Sequence, residues 1–403
     1  MSKTIFLVDM NAFFISCEMS RDASLKDVPA AVAGSPEKRT GIVLAANYNA
    51  RHYGVKTAMT LHEAYQKCPE LITVPPDHKY YKQRSDEVMK RLLHYSPIVE
   101  QNSIDEAWLD MTGTEKLLGP AYKVATTIMN DLENHLDLWC SIGISSNKFL
   151  AKMAADMKKP LGITELWPKD VEKKLWPLPA QKMYGVGSKT FHKLKLLNIN
   201  TIGDIANFSA TELLRVFGAH GLSLHQKANG IDPSNVVPNS KDDMKSIGRS
   251  VTLESDAYKA ESVRNIFFAL AEDVAMQGRQ HNKKGTVVQI ILKSNDFKSI
   301  TRQVTVEPTY YTKDLYDHGF QLLQKNWPPH KGVRLIGISL TGFCDHEQGQ
   351  QMSIFDTLNH SPKKQTLLSL KKPSHTVDDL LDKIRKKHGS DSISRASLLR
   401  KKK

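Results

Sequence analysis

Ile5-Phe6-Leu7-Val8-Asp9 sets four apolar residues against a carboxylate. An apolar run of that length reads as a buried strand, and an acid at its end reads as a side chain delivered to the rim of a sheet. Two later stretches repeat the pattern. Gly41–Ala46 is a second strand candidate that leads into Asn47-Tyr48-Asn49-Ala50-Arg51. Ser103-Ile104-Asp105-Glu106-Ala107-Trp108-Leu109-Asp110 marks two strands meeting at a tight turn. A helical period runs from Ala121 to Leu136, ahead of a strand at Cys140–Ile144. Strands alternate with helices, so residues 1–166 are expected to form a mixed α/β domain within an α/β multidomain chain.

Beyond Pro168 the pattern turns helical and short-looped as far as Gly230, with Gly185-Val186-Gly187 inside it. Residues 232–244 are polar, Pro-containing and aperiodic, the signature of an interdomain linker. Strand, helix, strand, strand, helix and strand then follow at Ser246–Leu253, Ala260–Arg279, Thr286–Lys293, Thr301–Val306, Lys313–Asn326 and Arg334–Thr341. That order is a compact β-α-β-β-α-β module. After Phe343 the chain is rich in Gln, Ser and Lys, with little periodicity until Thr376–Lys387, and is expected to be largely disordered.

The 403 residues hold 56 Lys+Arg against 43 Asp+Glu, a formal net charge of +13. A composition 40% hydrophobic and 25% charged excludes a wholly disordered or collagen-like chain. No apolar run reaches the length of a membrane span, and Asp9 comes too early for a signal peptide. Cys17, Cys68, Cys140 and Cys344 are far apart with no Cys-x-x-Cys, which argues against a zinc site or a disulfide framework and for a reduced, cytoplasmic protein. Residues 1–166 carry 19 Lys+Arg against 20 Asp+Glu, whereas residues 167–345 and 346–403 each carry an excess of +7. An anionic polymer would be gripped by the second and third blocks through its phosphates, and a solubilising surface is the plain alternative.

Asp9, Asp105 and Glu106 sit at predicted strand ends, where side chains remote in sequence can converge. Two or three carboxylates with a backbone carbonyl and substrate phosphates make the all-oxygen shell that Mg²⁺ prefers. Two such ions would activate a hydroxyl and stabilise a leaving phosphate. Ordinary surface turns are the alternative for either fragment alone.

Taken together, the pieces resemble a Y-family (translesion) DNA polymerase of the UmuC/DinB-like group (the impB/mucB/samB family), including DNA polymerase IV and UmuC-type UV-damage repair polymerases. The motifs are Val8-Asp9-Met10-Asn11-Ala12-Phe13-Phe14, Ala46–Arg51, Ser103–Ala107, Ser145-Ser146-Asn147-Lys148-Phe149-Leu150-Ala151-Lys152 and Asp156-Met157-Lys158-Lys159-Pro160-Leu161-Gly162. The resemblance implies a right-hand-like polymerase. Its palm would be residues 1–18 and 78–166, its fingers 19–77, its helix-hairpin-helix thumb 167–231 and its little finger 245–343. It also implies template-directed, error-prone synthesis of DNA with two Mg²⁺ per active site, in DNA repair and the SOS response.

On that resemblance Asp9, Asp105 and Glu106, with the Met10 carbonyl, match the metal ligands. Tyr48, Arg51 and Lys159 match the positions that hold the incoming deoxynucleoside triphosphate, and Phe14 the steric gate that would collide with a ribose 2′-hydroxyl. Phe13 is placed beside the nucleotide and partly in the core. Many members carry Asp where this chain has Asn11; Asn leans toward the UmuC type, while the rest suits a DNA polymerase IV-like enzyme as well. Gly185, Gly187 and Lys189 fit a backbone grip on primer–template DNA, and a sheet face carrying Arg249, Lys293, Lys298 and Arg302 would track duplex phosphates. Gln351, Ile354 and Phe355, within Gln350–Asp356, resemble the bacterial sliding-clamp peptide. A monomer without a membrane partner is expected. A nucleotide cyclase with a similar palm would lack the hairpin, the gate and the clamp peptide, and a DNA-damage scaffold without catalysis would not keep all three carboxylates.

Overall fold

The computed structural model describes residues 3–37, 39–238, 244–344, 373–389, 392–393 and 395–396. Contacts divide the chain into two units, Met1–Pro36 with Gly41–Asn239 and Glu37–Thr40 with Ser240–Lys403.

The first unit opens with β1 (Ile5–Met10), every residue of which is buried, and α1 (Phe13–Arg21). A three-stranded sheet follows, with β2 (Ala30–Ala33), β3 (Val43–Ala46) and β4 (Ile72–Val74) in the order β3-β2-β4. The short helices α2 (Tyr48–His52) and α3 (Leu61–Lys67) lie between β3 and β4 in the chain. Then come α4 (His78–Leu92), β5 (Val99–Gln101), β6 (Glu106–Asp110), α5 (Glu115–Leu118), α6 (Ala121–Leu136), β7 (Cys140–Ser145), α7 (Lys148–Met157) and β8 (Ile163–Glu165). The main sheet has the order β5-β6-β1-β7-β8, which places β1 at its centre. This explains why β1 reads as an unbroken apolar run: both faces are covered. Helix α6 falls where the period put it because Val124, Ala125, Ile128 and Leu132 make one buried stripe. Cys17, Cys68 and Cys140 are buried free thiols.

The helical region comprises α8 (Ser188–Leu196), α9 (Ile202–Asn207), α10 (Ala210–Phe217) and α11 (Ala219–Ala228), around Leu194, Ile202, Leu213 and Leu224. Residues 232–238 of the expected interdomain linker are seated on the first unit. Val236 is buried with Ile5, Leu7, Trp108, Ala151 and Ala155, and the Val237 N–H donates to Glu100 Oε2 at 2.9 Å. Of the two adjacent valines only Val236 is buried, and that one side chain seats the strap, a signal that composition averages away.

The second unit contains β9 (Ser246–Ala257), α12 (Arg264–Gln280), β10 (Lys284–Ser294), β11 (Ser299–Thr309), α13 (Thr312–Lys325) and β12 (Val333–Cys344). Its antiparallel sheet has the order β11-β10-β12-β9, as the β-α-β-β-α-β reading expects. A further helix, α14 (Pro373–His388), covers the periodic stretch Thr376–Lys387 of the tail. Asp378 accepts from the Thr312 N–H at the start of α13 at 2.9 Å, and Arg279 of α12 pairs with Asp378 and Asp382. Arg385 and Arg395 pair with Glu272 of α12. These charges are complementary to the face of α12. The clamp-like residues Gln351, Ile354 and Phe355 lie outside the described residues.

Candidate active site

The register of the main sheet explains why Asp9 and Glu106 meet. Asp9 is opposite Glu106 on β6 and Ser141 on β7, and the Met10 N–H donates to the Asp105 carbonyl at 2.9 Å. Cross-strand partners share a face, so the Asp9 and Glu106 side chains emerge together. Asp105 accepts from Ser103 Oγ, and Glu106 from Asn102 Nδ2.

Two ammonium groups stand against these acids. Helix α7 begins at Asn147, whose side chain accepts from the Leu150 N–H at 2.9 Å. It then presents Lys152, whose Nζ lies 2.8 Å from Asp9 Oδ2 and 2.6 Å from Glu106 Oε2. Lys159 Nζ lies 2.8 Å from the same Asp9 oxygen. Burial pushes the Asp9 carboxyl up, but the two lysines outweigh it and hold the group below its ordinary value. Burial likewise pulls down on Lys152, and Asp9 and Glu106 more than reverse it. Asn11, buried, accepts from the Leu161 N–H at 2.9 Å and donates to Ser141 Oγ at 3.0 Å, which pins the turn after Lys159 to the sheet.

A cavity of roughly 260 Å³ opens beside the acids, lined by Asp9, Met10, Phe13, Phe14, Tyr48, Arg51, Asp105 and Lys159 among others. Asn47 caps α2, accepting from the Ala50 N–H at 2.9 Å, and so puts Tyr48 and Arg51 in one helical turn. The Tyr48 hydroxyl is buried with no hydrogen-bond partner, which marks a place where a polar ligand group is wanted. The Arg51 guanidinium lies over the Tyr48 ring at 4.9 Å, and its Nε donates to the Ala46 carbonyl. Phe14 is stacked on Tyr81, with centroids 4.5 Å apart and planes 16° apart. The Tyr81 hydroxyl donates to Glu18 Oε1 at 2.7 Å. Phe13 is buried in the core and also lines the cavity.

The donor set suits a hard divalent cation. Three carboxylates from adjacent strand ends supply oxygens, and the position already draws two ammonium groups. Among the described residues no three acid, His or Cys side chains close on one point. The Lys152 ammonium stands between two of them.

The DNA-binding expectations divide. Gly185 has φ +98°, and Gly187 caps α8 without a side-chain bond, so the first-turn N–H groups are open beside exposed Lys189. Arg249 and Arg302 depart from the expected open sheet face. They share one cross-strand row with Ile290 and Ile338, both buried under the helices, and Arg249 pairs with Asp273 of α12. Arg249 alternates in step with Ile247, Val251 and Leu253, so the period of two already put it on the core side. The opposite face carries Ser250, Gly337, Ile291 and Thr301 in one row and Gly248, Ser339, Gln289 and Gln303 in the next, with Lys293 beyond. These small polar residues, and Lys152, were not singled out from the sequence.

The impB/mucB/samB family profile matches residues 8–156, its C-terminal domain profile residues 244–354, and the profile described as the DNA polymerase-iota thumb domain residues 181–232. The chain belongs to the impB/mucB/samB family and is a Y-family DNA polymerase. A DNA polymerase IV of Alkaliphilus oremlandii is 53% identical over 99% of this chain and 100% of its own length. One from Clostridium kluyveri is 50% identical, with both chains covered in full. A solved Y-family polymerase chimera, Dbh-Dpo4(243-245)-Dbh, superposes with TM-score 0.75 at 26% identity, covering 84% of this chain and 99% of its own. Relatives named DNA polymerase IV at this identity outweigh the UmuC leaning drawn from Asn11. Among the described residues no helix is long and apolar enough to cross a membrane.

Proposed function

We propose that the cavity beside Asp9 is where this polymerase adds deoxynucleotides to a primer 3′-hydroxyl, as an error-prone translesion enzyme of the SOS response. The observation that carries the reading is the meeting of Asp9 and Glu106 across β1 and β6, with Asp105 adjacent, beside the unsatisfied Tyr48 hydroxyl. Two Mg²⁺ ions held by Asp9, Asp105, Glu106 and the Met10 carbonyl would supply an activated 3′-oxygen and charge stabilisation of the leaving pyrophosphate.

Tyr48, Arg51 and Lys159 hold the triphosphate by one hydroxyl and two cations, the guanidinium offering two parallel donors. The Phe14 ring, fixed by its stack on Tyr81, excludes a 2′-hydroxyl. Gly185, Gly187 and Lys189 grip the DNA backbone. The open face of the second unit's sheet lets phosphates approach closely where its side chains are short or absent, at Gly248, Ser250, Gly337, Ser339 and Thr301, with Gln289, Gln303 and Lys293 as donors. Residues 351–355 tether the enzyme, a cytoplasmic monomer, to the sliding clamp.

Primer extension with Mg²⁺, comparing the wild type with Asp105→Ala plus Glu106→Ala, tests the reading. Extension by wild type alone is expected, and equal extension by both refutes it. Deleting residues 351–355 should abolish capture by the clamp and spare synthesis on short primers. Retained capture excludes the tether.

A further inference from the structure

Lys152 has no part in the scheme above, yet its ammonium touches both facing acids. Its Nζ lies 2.8 Å from Asp9 Oδ2, 2.6 Å from Glu106 Oε2 and 3.5 Å from Asp156 Oδ2. Lys159 Nζ lies 2.8 Å from Asp9 Oδ2 and 2.8 Å from Asp156 Oδ1. Positions 152 and 156 share one face of α7, and Lys159 follows just beyond its C-terminal end. Asp9 and Glu106 are about nine-tenths buried, whereas the Asp156 side chain is 42% exposed. Asp156 therefore touches both ammonium groups from the solvent side, outside the ligand set.

We propose that Lys152 is a resident cation that occupies the oxygens of Asp9 and Glu106 until a divalent ion arrives, and that Asp156 is the positioning residue that receives its ammonium when the ion displaces it. This rests on the reading of Asp9, Asp105 and Glu106 as metal ligands. Facing carboxylates in a cleft repel each other, and an uncompensated buried charge is costly. An ammonium on a four-carbon stem compensates them without fixing a geometry. A divalent ion at the same oxygens would sit a few ångström from that ammonium, where like charges repel strongly at low effective dielectric. The stem need only swing toward Asp156, one turn along α7, and the same carboxylate steadies Lys159 for the triphosphate. Metal affinity is then a contest between ion and lysine, biased by Asp156.

The test is a Mn²⁺ titration of the full chain with dideoxy-terminated primer–template and no nucleotide, reading free Mn²⁺ by electron paramagnetic resonance. Lys152→Met should tighten binding by about tenfold and Asp156→Asn should weaken it by roughly three- to tenfold, from the removal of one unit charge at these separations. In the Lys152→Met background the Asp156→Asn effect should shrink below about twofold, the sign of a shared partner rather than of net charge. Lys158→Met controls for bulk charge and should leave the affinity nearly unchanged. Lys152→Gln substitutes if the methionine variant does not fold.

An Asp156→Asn effect that is the same with and without Lys152 overturns the proposal. So does a Lys152 variant that binds Mn²⁺ no more tightly than wild type. Mn²⁺ binding that survives Asp105→Ala plus Glu106→Ala would instead remove the underlying assignment of ligands.

Discussion

Replacing Gly143 by alanine should damage both the fold and the site, and the structure says by how much. Gly143 sits in β7, opposite Leu7 of β1 and Thr164 of β8. A Cβ there would lie 1.9 Å from the Ala151 carbonyl oxygen and 2.4 Å from the Ala155 nitrogen, both backbone atoms of α7. Ordinary contact begins near 3.4 Å, so α7 must retreat by about 1.5 Å from the sheet. Overpacking of this kind costs roughly 1–3 kcal/mol and at times more, against a gain of up to about 1 kcal/mol from the stiffer unfolded chain. We expect a net loss of about 2 kcal/mol, read as a lower urea midpoint followed by circular dichroism.

Lys152 and Asp156 ride on the same helix, so the retreat also lengthens the contacts of Lys152 with Asp9 and Glu106. Misplacement by about 1 Å in a positioned site can cost on the order of 10²-fold in rate. Single-nucleotide insertion under saturating substrate should fall toward that figure in the folded fraction. A Gly143→Ala protein with the wild-type midpoint and insertion rate would refute the claim that strand and helix touch backbone to backbone.

Phe14→Ala should raise incorporation of ribonucleotides relative to deoxynucleotides, and unchanged sugar discrimination in matched insertion assays would rule out the gate. Asp204 closes a capping box with Thr201 at the start of α9, and hydrogen bonds from the Asn200 and Thr201 N–H groups hold its carboxyl below its ordinary value. A depressed folded pKa means stability that is present above about pH 4 and lost as pH falls through the folded value. Asp204→Ala should therefore cost about 1 kcal/mol at neutral pH, with the gap to wild type closing in acid unfolding curves. Arg279→Met should remove one of the two guanidinium groups on Asp378 and the partner of Asp382, leaving Arg395 on Asp378, at a cost of about 1–3 kcal/mol to the second unit. Faster hydrogen exchange across α14 would report it, and unchanged protection would mean that the pair does not hold the helix.

The meeting of the acids was legible because strand-end carboxylates need no tertiary detail: Asp9 closes an apolar run, and Asp105 and Glu106 fall at a turn. Their neighbours were legible only as motif letters. Lys152 and Asp156 stood inside quoted motifs, but nothing local says that a helix face will turn toward a strand end. Arg249 was misplaced for the opposite reason, since its alternation with Ile247 and Leu253 was local and was passed over in favour of its charge. The docking of α14 depends on Glu272 and Arg279, about a hundred residues away in the chain. Composition cannot tell such matched charges from solvated ones.

Trp108 lies two residues beyond Glu106 on the same face of β6, under α7. Its Nε1 donates to the Lys148 carbonyl at 3.1 Å, and the Lys148 ammonium lies 4.4 Å from the ring. Val236, on the strap leading out of the first unit, packs in the same cluster. The chain thus carries an intrinsic fluorophore wired to three parts at once: the acid-bearing strand, the first residue of α7 and the exit strap. Stopped-flow emission from this indole would follow the loading of the site in real time with no attached dye.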